Sequence, residues 1–263
     1  MIVLVEKCNQ NNAIKVAAFA IEFSDVCSAN TFKLFSEYVS AEKSDLFTSS
    51  KLLEYFNIQI NTEEPEESVS KNQEVHGVVL NNDNGWALSF KDNILVLQCT
   101  DYISWDESIG FAKEAWAYFI SFLENYLKPL KIKALGLEYL DEFLIKDENA
   151  NWVEELFSKD SKYLPEYIFS QSGFWHVHTG FYEKDILTRL QMNHVQDAEN
   201  RSLQVISMQH RFTLAETSEL FLGGEGVLDG MYGVMEKMHS ENVSLIKDIL
   251  SSEVLEDINM EVK

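Results

Sequence analysis

The sequence predicts an α+β fold built mainly on antiparallel sheet, and three observations carry that prediction. Short runs of alternating apolar and polar residues recur along the chain, separated by turns rich in Asn, Asp and Gly. Two groups of such runs each end in a long segment with apolar residues at three- and four-residue steps, the pattern of a helix with one buried face. Of 263 residues only 3 are proline and 11 glycine, and 46% are hydrophobic, which favours long regular elements around a sizeable core.

Ile14–Phe23 reads as a strand with Phe19, Ile21 and Phe23 on one face. Helices are expected over Ala29–Val39 and Ser44–Phe56. Asn61–Glu74 holds Glu63, Glu64, Pro65, Glu66 and Glu67 with almost no apolar residue, and predicts a mobile surface loop or an interdomain linker. Val75–Leu80, Trp86–Phe90 and Ile94–Thr100 form an expected antiparallel meander, because the residues between them tolerate left-handed turn geometry. Trp105–Leu127 is the clearest helix of this half. Ser104 and Glu107 make a candidate capping box, and Pro129 stops the element.

The second half repeats that order. Ile132–Ile145 alternates as a strand, with Leu135, Leu137, Tyr139, Phe143 and Ile145 on one face. A short helix is expected near Trp152–Phe157, then strands at Phe174–Tyr182, Ile186–Val195 and Leu203–Leu214. Val227–Leu250 is the closing helix, carrying Leu228, Met231, Met235, Met238, Leu245, Ile246 and Ile249. The chain thus divides into halves 1–128 and 129–263, as two related subdomains joined edge to edge or as one continuous domain. This duplication rests on element order alone.

Charge bounds the partners. There are 43 acids against 21 bases, a net charge of −22, which repels phosphate backbones and anionic membranes and favours basic protein surfaces. The acid excess equally serves solubility. Cys8, Cys27 and Cys99 are odd in number and widely spaced, which disfavours a disulfide framework. The apolar opening Met1–Val5 is closed by Glu6 and Lys7, too short for a signal peptide, and no apolar run reaches membrane-spanning length. A cytoplasmic location is the expectation.

Ala134-Leu135-Gly136-Leu137-Glu138-Tyr139-Leu140-Asp141-Glu142-Phe143 resembles the mid-chain strand of a sporadically distributed, uncharacterised bacterial family of about 250 residues. Supporting features are the opening strand Ala13–Phe23, the Tyr102-x-x-Trp105 step into a long helix, and Met238-His239 in the closing helix. The proline-containing phrase expected before the first strand is absent here. The resemblance implies an accessory or mobile-element gene, as in defence or counter-defence systems, and carries no catalytic residues with it.

Four of the six histidines lie in one stretch. His176 and His178 project from one face of a strand, and HxH pairs chelate zinc or iron when a third ligand is near; His194 and His210 sit on the next two strands. Apolar neighbours Leu190, Met192, Met208 and Phe212 favour packed, hydrogen-bonded roles for the last two instead. Glu138, Asp141 and Glu142 are a second candidate, as acid and base or a magnesium site. Asp141 shares a face with Tyr139 and Phe143, which would desolvate it and raise its pKa, while Glu138 and Glu142 point to solvent. Among 43 acids such proximity is expected by chance. Gly223-Gly224-Glu225-Gly226 before the closing helix offers an anion nest but lacks a P-loop ending, and Asp229 complements the helix dipole without any ligand. Cys99 and the methionine stripe read as core.

The leading expectation is therefore a binding protein with no assigned catalytic residue and no cofactor. It would engage a basic protein surface through acids such as Glu63, Glu64, Glu66 and Glu67, in an antitoxin, immunity or phage defence or counter-defence role. The alternatives are a metal-dependent hydrolase or nuclease using a divalent metal at His176, His178, His194 and His210, and a ligand-sensing subunit of a defence system.

Overall fold

Alternation with one face buried is the rule that organises this chain. The computed structural model describes residues 5–7, 12–42, 46–61, 68–126, 130–145, 151–170, 173–196, 203–215 and 226–258. Ten strands form one antiparallel sheet: β1 (Val5–Lys7), β2 (Ile14–Phe23), β3 (Ser49–Asn61), β4 (Ser68–Asn81), β5 (Trp86–Lys91), β6 (Ile94–Cys99), β7 (Ile132–Ile145), β8 (Trp175–Glu183), β9 (Ile186–Gln196) and β10 (Gln204–Ala215). The strand order is β3-β4-β5-β6-β2-β7-β10-β9-β8. β1 pairs with the end of β7 (Val5↔Ile145), on the flank where β2 takes over at Ile14↔Asp141.

Five α-helices are described: α1 (Ala29–Glu42), α2 (Trp105–Tyr126), α3 (Trp152–Leu156), α4 (Val227–Ile249) and α5 (Ser252–Asp257). The fold is α+β. In each half one long strand, β2 or β7, is flanked by the last strand of that half's meander, β6 or β10, and β2 and β7 pair with each other at the centre. The boundary between residues 128 and 129 therefore separates two halves of a single sheet.

Odd-numbered residues of β2 and β7 bury Phe19, Ile21, Phe23, Leu137, Tyr139 and Phe143 on the helix-covered face, while Ala18, Ala20, Gly136 and Glu138 line the other. α1 covers β3 and β4, α4 covers β7 and β10, and α2 packs against both helices. Trp116 of α2 meets Phe19 edge-on at 6.0 Å and stacks on Tyr232 of α4 at 5.9 Å. The Ser104 hydroxyl accepts from the Glu107 N–H at 3.3 Å, one arm of the expected capping box.

Two expectations need correction. The helix expected over Ser44–Phe56 is replaced from Ser49 by β3, an edge strand. Leu52, Leu53 and Phe56 fall at helical spacing, but ladder pairing with β4 overrides that local pattern. The loop or linker expected over Asn61–Glu74 is also shorter: β4 begins at Ser68 and pairs with β3 from Asn61↔Ser68 onward, so the segment joins neighbouring strands. Glu63, Glu64, Glu66 and Glu67 lie outside the described residues. β1, α5 and a 3-10 turn at Glu166–Ser170 are additions that no strong periodicity announces.

Candidate functional site

The start of β2, the second half of β7, the N-terminus of α2 and the C-terminal half of α4 line a half-open cavity of about 370 Å³. That volume falls within the ~300–1,000 Å³ typical of small-molecule sites. Local sequence explains its shape. Lys15 is an extra residue where the β2–β7 register shifts between Ile14 and Val16, a bulge directly beside Asp141. Asn12 holds the adjoining wall: its Oδ1 accepts from the Ile14 N–H at 2.9 Å, and its Nδ2 donates to the Tyr102 carbonyl at 3.2 Å. The Ser104 cap then fixes where α2 begins, placing Trp105 at the rim.

A buried polar group forms the floor. Asp141 on β7 is 5% exposed and His210 on β10 is fully buried. Asn242 stands in the apolar stripe of α4, and its Oδ1 lies 3.0 Å from His210 Nδ1. With Asn242 Oδ1 accepting, Nδ1 carries the ring proton and Nε2 is an acceptor. Nε2 lies 3.7 Å from Asp141 Oδ2, in ion-pair range but too long for a hydrogen bond. Neither His210 Nε2 nor Asp141 Oδ1 has a hydrogen-bond partner among the described residues. Desolvation raises the Asp141 pKa to about 7 and lowers that of His210 to about 4. Burial thus keeps His210 neutral and leaves Asp141 poised to exchange a proton near neutrality.

Aromatic groups build the wall above this floor. His239 stacks on Trp105 with centroids 4.1 Å apart and planes 2° from parallel, and its Nδ1 lies 3.0 Å from the Tyr139 hydroxyl. Trp105 Nε1 donates to Glu236 at 3.0 Å, tying the rim of α2 to α4. Burial holds His239 below the usual histidine range against the opposing pull of Glu236 and Asp106, and pushes Tyr102 and Tyr139 up.

The other sequence candidates are dispersed. His176 and His178 are on the open face of β8, with the Tyr167 hydroxyl donating to the His176 carbonyl at 3.3 Å. His194 and His210 are on the buried face, so the sheet does not bring the four together. His194 is engaged by the Gly173 carbonyl and by Gln204, and sits among Trp152, Phe174 and Trp175. Among the described residues no group of three His, Cys, Asp or Glu is arranged to hold a metal ion. Asp141 also parts from its neighbours: Glu138 accepts from Gln209 and Arg211, and Glu142 from Lys15 at 2.7 Å, all on the opposite face. Gly226 precedes α4 at φ 73°, whereas Gly223, Gly224 and Glu225 lie outside the described residues. Cys99 is buried in the core.

Sequence reasoning picked out Asp141 and His210 separately but missed Asn242, Trp105 and Asn12 as site residues. Asn242 left a readable signal, a polar residue exactly in phase with Met231, Met235, Met238 and Leu245. Comparison with protein-family models and with curated proteins found no match.

Proposed function

We propose that this chain is a small-molecule-binding protein, and that its ligand occupies the cavity beneath α4. The observation that carries this reading is Asp141, a buried carboxyl that lines a largely apolar and aromatic cavity and whose sealed Oδ1 has no hydrogen-bond partner among the described residues. A carboxyl held largely out of water at a cavity wall is a ready acceptor for a ligand's donor. The cavity also touches β2, β7, α2 and α4 together, so an occupant bears on the packing of both long helices. That position suits a sensing subunit that reports occupancy to a partner.

A second reading concerns the partner. The net charge of −22 supports engagement of a basic protein surface, and the family resemblance adds an accessory role such as defence, counter-defence, immunity or antitoxin action. The two readings are compatible, since one concerns the cavity and the other the exterior.

Val243→Trp tests the ligand-binding reading, because Val243 is half-buried on α4 and lines the cavity. Fragments that bind there should raise the melting temperature of the wild-type chain by a few degrees and leave the filled variant unmoved. Equal shifts in both proteins would contradict the assignment.

A further inference from the structure

Charge inside the cavity is as one-sided as charge outside it. Asp141 is the one carboxylic acid of its lining, and no lysine or arginine lines it among the described residues. The two lysines nearest by register are both engaged elsewhere: Lys15, in the bulge beside Asp141, donates to Glu142 on the opposite face at 2.7 Å, and Lys7, opposite Phe143, lies 2.6 Å from the Asp257 carbonyl and 3.5 Å from its carboxylate. Asp106 and Glu236 add negative potential near the rim, where both act on His239. A phosphate or carboxylate ligand would meet no lysine or arginine among the described residues of the lining. Tyr102 and Tyr139, edge-on at 6.2 Å, line the same cavity with Trp105 and Phe143.

We propose, on the ligand-binding reading above, that the cavity takes a primary ammonium carried on an aromatic or alkyl body, with Asp141 as its counter-ion. The Asp141 carboxylate accepts one ammonium N–H, and the apolar wall of Val243, Ile246 and Leu250 covers the body. The amine keeps its own proton. Any proton on Asp141 leaves to solvent as the pair forms, so binding strengthens as that carboxyl ionises.

The groups facing Asp141 are His210 from β10, Tyr139 from its own strand, Tyr102 from the segment before α2, and His239 and Asn242 from α4. Both histidines are held below the usual imidazole range and both tyrosines above the usual phenol range. Asp141, raised to about 7, therefore changes charge between about pH 6 and 8, and its ionisation bears directly on amine binding.

Calorimetry on the full chain with three probes of matched size tests this: phenethylamine, 2-phenylethanol and phenylacetate. The amine should bind at least about tenfold more tightly than the alcohol, and the acid should not bind. Amine affinity should weaken about tenfold from pH 8 to pH 6, as the carboxyl takes up its proton. Asp141→Asn, which keeps the shape of the protonated side chain, should abolish both the amine preference and the pH dependence, and Val243→Trp should abolish binding. Tighter binding of the alcohol or the acid would overturn the ammonium proposal while leaving a ligand cavity in place. Absence of binding by all three would also overturn it, and the fragment shifts of the Val243→Trp comparison would then decide separately whether the cavity binds anything.

Discussion

Asp141 and His210 meet diagonally across the β7–β10 ladder, where Tyr139 is opposite His210 and Met208 is opposite Asp141. Their burial gives the two residues opposed effects on stability. An aspartate raised to about 7 favours the fold below its unfolded pKa, and that contribution is lost as pH rises through 7. A histidine lowered to about 4 favours the fold above its unfolded pKa, and that contribution is lost as pH falls through 4. Between about pH 4 and 6.5 the two slopes cancel. Asp141→Asn should uncover the difference: relative to wild type, the variant should gain about 1 kcal/mol per pH unit from pH 4 to 7, then level off. Denaturant unfolding across that range measures it, and a difference independent of pH would contradict the assignment of Asp141 as buried and protonated. Asn242→Leu should cost about 1–3 kcal/mol, because it leaves His210 Nδ1 buried without its acceptor.

At the scale of elements, α2 and α4 are held to the sheet by large side chains, and Trp116 is the test case. It is buried against Phe19 and Tyr232, so Trp116→Ala should cost about 3–5 kcal/mol in chemical denaturation, and an unchanged midpoint would show the contact to be idle. Such contacts also explain what was legible beforehand. β2 and β7 match their expected bounds because both alternate over most of their length with one buried face, and α2 and α4 match to within a residue because their apolar stripes are long. β3 was misread because an edge strand with exposed Lys51, Glu54 and Tyr55 is under little pressure to alternate. The polar strand Ser68–Glu74 owes its form to cross-strand pairing, which a single segment does not display. The same limit applied to the site. Period two showed Asp141 beside Tyr139 and Phe143, but only the β7–β10 pairing brings His210 to it, and only the packing of α4 brings Asn242.

The whole molecule combines a conventional aromatic core with a strongly acidic exterior. Several of its few bases are already paired: Lys15 with Glu142, Lys133 with Glu22, Lys159 with Glu154 and Arg211 with Glu138. The unpaired excess repels itself, so thermal stability should rise as salt is added at neutral pH, and a fall would indicate that these ion pairs outweigh the repulsion. The same field should make association with a basic protein fast at low salt and slower as ionic strength rises, read by stopped-flow mixing. Inside, one buried carboxyl lies at the floor of a cavity that no lysine or arginine lines among the described residues. A crystal structure of the chain soaked with phenethylamine at pH 8 tests that most directly. The account predicts the ammonium within hydrogen-bond distance of the Asp141 carboxylate and the ring against Val243 and Ile246; an ammonium directed away from Asp141, or a ligand bound only elsewhere, would contradict it.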